Sequence, residues 1–456
     1  MGLGYILLAV KSEQDKYLVG NPQFTFFKGA YKRHTHFALD QVFVPFVGET
    51  KDAYGKKLYV DIPKSGDLLH RMYLVLDIQI NNQVDISSVN LFGYSFIEYI
   101  DIIIDGQLID RHYSDWLMLY MELLQDKRKE LATGLMTGIH SPEDNKKTLF
   151  LPLRFWFNND IGLSLPLIAL QYSTVRIEVK LNNKSIPTTY SSNTTNTIKN
   201  DDLSISRMQM LCEYIHLDKD ERVLFSSKQL EYLITQVQSS INNPVQLYIN
   251  DDDVRYEDKT HRFDLRFNHP VKSIFWGVKD NYVDLSNSIN STQYKYDNTT
   301  GILYYNYWRN GTVLREQIKE CNIVMNGKDV TEPLEPQYFR FVQDYQHHLN
   351  SSLLNVYNLN KTYTNAPSYK SNIYPVGMGF YNYNFAINPT DTQPSGSVNF
   401  SKLEQAQLKM KLFRDKDNFT FGGSTNNLTA KYINIYALSI NVLRIMSGKA
   451  GLAFAT

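Results

Sequence analysis

His34 and His36 stand two positions apart, a spacing that puts both imidazoles on one side of a strand and suits metal chelation. No third ligand follows at a recognisable spacing and Arg33 lies beside them, so they read as structural or surface histidines. His347 and His348 are adjacent, and neighbours on a strand face opposite ways. The acidic run Asp251-Asp252-Asp253, with Glu257 and Asp258, has the hard oxygen ligands a divalent cation prefers. It lacks the glycine and the ligand order of a calcium loop, and reads as a solvated turn. Gly377-Met378-Gly379 lacks the third glycine and the strand-to-helix setting of a dinucleotide site. There is no phosphate-cradling loop, serine nucleophile elbow or CxxC pair. The expectation is therefore no catalytic residue, no cofactor site, no metal site and no enzymatic activity.

Other polar groups point to surfaces. Lys28, Lys32, Arg33 and His34 form a basic cluster suited to lipid headgroups or an acidic partner, or to a solvated strand edge. Sequons at Asn193, Asn298, Asn310 and Asn427 fit chance occurrence in a chain rich in Asn and Thr, and no secretory signal precedes them. The apolar start, Leu3 to Val10, is far shorter than the roughly 20 residues that cross a bilayer. A myristoylation motif built on Gly2 fails at Ile6, where it wants Ser or Thr.

The elements that must carry these residues are strands. The chain has 456 residues, 43% hydrophobic, with 32 Tyr and 24 Phe, a profile that favours pleated surfaces and enough material for two cores. Lys+Arg and Asp+Glu both number 47, so no net field draws the chain onto a polyanion, and direct nucleic-acid binding is not expected. Cys212 and Cys321 are too few for a disulfide framework and read as buried thiols in reducing surroundings.

Alternation is clear at Met72, Leu74, Leu76, Ile78 and Ile80, again at Val175, Ile177, Val179 and Leu181, and at Met208, Met210, Cys212 and Tyr214. Asp105-Gly106 between apolar runs predicts a type I′ hairpin. After Ser114, the spacing of Leu117, Tyr120, Met121 and Leu124 predicts a helix covering a sandwich edge or end, with Lys127, Arg128 and Lys129 at its C-terminus. Polar stretches at 182–202, 281–300, 350–372 and 418–429 read as long loops.

The charged run from Asp218 to Ser227 marks a boundary before a strand begins near Tyr232. Beyond it the pattern repeats. Leu408, Met410 and Leu412 echo the Val175 strand, and Ile323 to Gly327 restates the first hairpin with Asn-Gly in its turn. These echoes suggest a duplicated β-sandwich. Trp116 and Phe155 are expected core residues.

Seven segments stand out in order along the chain: Gly20 to Lys28 (GNPQFTFFK), Tyr31 to Thr35 (YKRHT), Ile109 to Trp116 (IDRHYSDW), Leu165 to Tyr172 (LPLIALQY), Phe267 to Pro270 (FNHP), Gln393 to Ser401 (QPSGSVNFS) and Asn441 to Gly448 (NVLRIMSG). Taken together they resemble the major capsid proteins of the nucleocytoplasmic large DNA viruses, the double-jelly-roll family. The resemblance implies an all-β fold of two consecutive eight-stranded antiparallel jelly rolls, with a few short helices in the connections. It places an N-terminal arm at residues 1–24 on the inner capsid face, jelly rolls at 25–216 and 227–456, and a linker at 217–226. It further implies a homotrimer contacting neighbouring trimers in an icosahedral shell, with minor capsid proteins or an internal viral membrane meeting the arm. The loops of the second half would crown the outer face, and assembly would occur in the host cytoplasm, giving a virion component. Two other readings, a jelly-roll glycan-binding module and a metal-dependent cupin-type enzyme, need sugar-stacking loops or converging metal ligands.

Overall fold

Strands form where apolar residues alternate, because a one-residue step turns the next side chain to the opposite face of the sheet. In the computed structural model the segment Val175–Leu181 shows this directly: every odd residue is buried and every even one partly exposed. The structure describes residues 3–10, 12–29, 31–80, 92–126, 129–138, 146–182, 203–240, 245–247, 260–282, 318–348, 380–412 and 429–454.

The first half contributes β1 (Phe37–Pro45), β2 (Lys57–Asp61), β3 (Leu68–Ile80), β4 (Ile97–Ile104), β5 (Gln107–Tyr113), β6 (Lys146–Pro152), β7 (Val175–Leu181) and β8 (Leu203–Leu217). They pair antiparallel in two four-stranded sheets, ordered β1-β8-β3-β6 and β2-β7-β4-β5. This is the jelly-roll order, in which the chain alternates between facing sheets. Met72, Leu74, Leu76 and Ile78 of β3 and Met208, Met210, Cys212 and Tyr214 of β8 all point inward and are essentially inaccessible. Each such aliphatic side chain contributes about 1.5–3 kcal/mol on burial.

The second half supplies β9 (Leu230–Ser240), β10 (Val245–Leu247), β11 (His261–Asp264), β12 (Pro270–Tyr282), β13 (Ile318–Met325), β14 (Lys328–Asp329), β15 (Phe380–Asn384), β16 (Val398–Asn399), β17 (Ala406–Leu412), β18 (Thr429–Met446) and β19 (Lys449–Leu452). β9 and β10 pair successive parts of β18, so together they occupy one strand position. With that position counted once, the two sheets run β9/β10-β18-β12-β15 and β11-β17-β13-β14, the same order as the first half. The short β16 and β19 are additions at β12 and β18. The duplication inferred from two sequence echoes is thus a repeat of the whole topology.

Both predicted hairpins are present. Asp105 and Gly106 have φ of 52° and 80°, and Asn326 and Gly327 have 48° and 77°, the left-handed pair a type I′ turn demands. Each joins topologically equivalent strands, β4 to β5 and β13 to β14.

Helices are short: α1 (Leu3–Ala9), α2 (Lys16–Val19), α3 (Ser114–Leu119), α4 (Glu130–Thr137), α5 (Trp156–Asn159), α6 (Lys219–Ser227) and α7 (Gln343–His347). The helix expected after Ser114 exists, and a π-turn at Tyr120–Leu124 continues it. All six residues of α3 are buried: the helix lies at the sheet edge formed by β5, as the edge reading expects, and Trp116 also packs on Phe275 and Tyr436 of the second sandwich, so that edge faces the other sandwich and not solvent. Lys127 and Arg128 lie outside the described residues, and Lys129 precedes α4 instead of closing α3. The charged run at the boundary is itself helical: Asp218 caps α6, and Arg222 pairs with Asp67 at 3.1 Å. The predicted loops fall almost wholly outside the described residues.

Candidate assembly surfaces and the seam between the sandwiches

The two sandwiches meet along a seam built chiefly from β5, α3 and β9. In β5 the pairing with β4 slips between Ile102 and Ile103, leaving Ile109 as an extra residue. Such a bulge frees ladder groups for other partners, and here the Ile109 carbonyl accepts a hydrogen bond from the Gln236 side chain of β9. Gln236 is fixed in turn by Asn441, whose Nδ2 donates to its Oε1 at 2.8 Å.

Next along β5, the Asp110 carboxylate accepts from the Val237 amide at 3.0 Å and lies 2.9 Å from His112 Nε2. The His112 ring stacks on Phe155 at 4.5 Å. Asp115 accepts from Asn434 Nδ2 at 2.7 Å, and Trp116 sits beside it with ring centroids 5.5 Å from Phe275 and 5.7 Å from Tyr436. At the far end the Gly448 carbonyl accepts from the Tyr172 amide at 3.0 Å.

The core of the first sandwich extends across the seam. The cluster that fills the first sandwich also includes Ile234, Phe275, Phe380, Tyr436, Leu438, Leu443 and Ile445 from the second. A smaller cluster around Trp276, Phe339 and Tyr381 fills the second sandwich proper.

The chemistry-bearing residues do not converge. His34 and His36 are exposed, and they precede β1 instead of lying on a strand. The ladder gives the reason: Phe37 pairs with Leu217, the last residue of β8, so nothing remains to extend the strand backward. His347 ends α7, also contrary to the strand reading, and its Nδ1 lies 3.0 Å from the Ile387 carbonyl. His348 follows in a buried site where desolvation pushes its pKa down to about 4. The acidic run at Asp251, Gly377 to Gly379 and all four sequons lie outside the described residues. Among the described residues no group of three His, Cys, Asp or Glu is placed to hold a metal. Cys212 and Cys321 are buried thiols, and burial pushes Cys212 up to about 12.

What the surface does offer is apolar side chains at one end of the chain. Nothing in α1 is buried, and Leu3, Tyr5, Leu7, Leu8, Tyr17 and Leu18 stand in solvent. Phe24, Phe26, Phe27 and Tyr31 continue the series beside exposed Lys28, Lys32 and Arg33. β1 is equally open: Phe37, Leu39 and Phe43 are about half exposed on a strand at the edge of its sheet. Exposed apolar residues in such number, where they form a contiguous patch, mark an interaction surface. No helix among the described residues is long and apolar enough to cross a membrane.

Two family models match the chain. Residues 25–218 match the major capsid protein N-terminus, and residues 221–360 and 357–451 match the large eukaryotic DNA virus major capsid protein. The chain is 32% identical over 466 residues to a major capsid protein of Pyramimonas orientalis virus, with 100% of both covered. The chain belongs to the major capsid protein family of large eukaryotic DNA viruses. It is also 30% identical over 478 residues to the major capsid protein of Paramecium bursaria Chlorella virus 1, again over 100% of each. The capsid of that virus, as a quasi-atomic model, superposes with a TM-score of 0.71 at 26% identity, covering 95% of this chain and 100% of that one. The Faustovirus major capsid protein, at 12% identity and a TM-score of 0.57, shares the fold. The chain is thus a structural capsid protein with a double-jelly-roll fold, a virion component and not an enzyme.

Reasoning from sequence singled out none of the seam residues as functional. Their signal was present in the segments Ile109 to Trp116 and Asn441 to Gly448, which carried the family resemblance.

Proposed function

We propose that the chain assembles into pseudo-hexagonal homotrimers that tile an icosahedral shell. The observation that carries this reading is the shared core across the seam. Two sandwiches locked side by side make a rigid block with two similar lobes, and three such blocks around an axis present six lobes to their neighbours. The exposed face of β1 would bury its phenylalanines against another copy, since contacts within a trimer are expected to be large and apolar. Contacts between trimers can be individually weaker, because each capsomer makes many.

On this reading residues 1–24 form an inner arm that meets minor capsid proteins or an internal membrane, and its exposed apolar side chains support such a role. The jelly rolls span 25–216 and 227–456 with the linker 217–226 between them, and the long loops of the second half face outward. The chain carries no catalytic, metal or cofactor site and makes no direct contact with nucleic acid; capsomers form in the host cytoplasm.

Negative-stain imaging and light scattering of the purified full chain test the proposal. Three-fold particles of three times the 52.9 kDa chain mass are expected. A stable monomer at micromolar concentration, with β1 still exposed to solvent in hydrogen exchange, would overturn it.

A further inference from the structure

Lysine is almost never fully buried without a charged partner. Lys272 of β12 is nevertheless 2% exposed, and among the described residues no carboxylate forms an ion pair with it. Its Nζ donates to the main-chain carbonyl of Asp391 at 2.8 Å. Its own carbonyl accepts from the amides of Phe385 at 2.8 Å and Ala386 at 3.2 Å. One residue therefore grips the connection between β15 and β16 at its root, through the backbone, and at its middle, through the ammonium.

That connection, residues 385–397, is a strap with its own internal bracing. Ile387 donates to the Ser395 carbonyl at 3.1 Å, and the Asn388 amide donates to Ser395 Oγ at 2.9 Å. Its tip crosses the seam, where the Thr392 hydroxyl donates to Asp160 of the first sandwich. Asp160 is held in place by the Gly162 amide at 2.8 Å. Beneath the strap lies a cavity of about 70 Å³ lined by Lys272 and Asp391 together with Asp110, His112, Arg154 and Asp160 from the first sandwich.

We propose that Lys272 is a positioning residue, clamping the strap across the seam and so setting the fixed angle between the sandwiches on which capsomer assembly depends. Burial holds the lysine down to about 8, well under its ordinary value of 10.5, with the Asp391 charge opposing that fall. The other charged groups on the cavity wall are Asp110, Arg154 and Asp160, with His112 bonded to Asp110. The sign follows. Between about pH 8 and 10.5 the unfolded chain holds a proton that the folded chain has released, so stability contributed at this residue rises with pH across that window. Below it the buried ammonium costs stability. A lysine kept at such a cost serves position rather than fold strength, as buried polar groups do when they specify one arrangement.

The test uses the full chain with Lys272→Met. Expected are a melting temperature at pH 7 equal to or above that of the parent, loss of the stability gain between pH 8 and 10.5, at least tenfold faster hydrogen exchange in residues 387–394, and a several-fold lower particle yield. Thr392→Val, an exposed change that removes only the strap's bond to Asp160, is expected to lower particle yield with the melting temperature unchanged. It keeps the proposal testable if Lys272→Met does not fold. Unchanged strap exchange and particle yield in both variants would overturn the proposal. So would a Lys272→Met protein that loses stability at pH 7 without any selective loosening of the strap.

Discussion

Trp116 is the side chain whose removal should tell most about the seam. It is 1% exposed, with ring centroids 6.4 Å from His112, 6.3 Å from Tyr120, 5.5 Å from Phe275 and 5.7 Å from Tyr436. Truncation of a buried tryptophan to alanine costs about 3–5 kcal/mol in lost transfer energy and cavity. Among the described residues the buried indole Nε1 has no acceptor, and removing an unsatisfied donor returns about 1 kcal/mol. The expected net cost of Trp116→Ala is therefore about 3 kcal/mol, near the lower end. If one sandwich of about 200 residues melts cooperatively, that is a fall of roughly 6–12 °C.

The seam's share can be isolated. Aromatic pairs contribute about 0.5–1.5 kcal/mol beyond buried area, so Trp116→Ala and Phe275→Ala should show a coupling of about 1 kcal/mol in a double-mutant cycle followed by calorimetry. Phe155→Ala, in contact with His112 and Phe157 inside the first sandwich, is the control and should add independently to Phe275→Ala. Additivity of Trp116 and Phe275 within about 0.3 kcal/mol would refute the claim that α3 bonds the sandwiches energetically. An unchanged melting temperature would refute the burial itself.

Two further outcomes follow from buried titratable groups. His348 is depressed to about 4 chiefly by burial and secondly by His347, so on acidification the unfolded chain takes up its proton first and stability falls from about pH 6.5 to pH 4. The full loss is about 3 kcal/mol, and a melting series from pH 7 to 4 should flatten by that much in His348→Gln. His70 and His269, also lowered by burial, keep their own smaller slopes, and a variant curve parallel to the parent's would reject the assignment. Cys212 and Cys321, both buried, should resist a maleimide in the native protein and label stoichiometrically in denaturant; rapid native labelling would contradict their placement.

Strand positions were legible because burial of one sheet face writes itself into the chain at every second residue. Met72 to Ile78, Val175 to Leu181 and the two Asp-Gly and Asn-Gly hairpins needed no tertiary information. What periodicity cannot report is the partner. The apolar stripe of α3 shows that a face is buried, yet Trp116 rests on side chains 159 and 320 positions away, so an end cap and a seam look alike in sequence. Lys272 shows the same limit. A lysine inside Val271-Lys272-Ser273 gives no sign of burial in sequence, and it is enclosed by the returning strap together with residues of the first sandwich. His34 and His36 failed differently: their spacing fits a strand, but the ladder has already run out.

The hydrophobic cluster shared across the seam has a mechanical consequence. A polypeptide wall packed across its own seam transmits load instead of yielding to it, since close-packed interiors deform little. Whatever curvature a finished shell possesses must then be absorbed where one copy abuts the next. Strength would come from the inside of each building block, and shape from the joints between them.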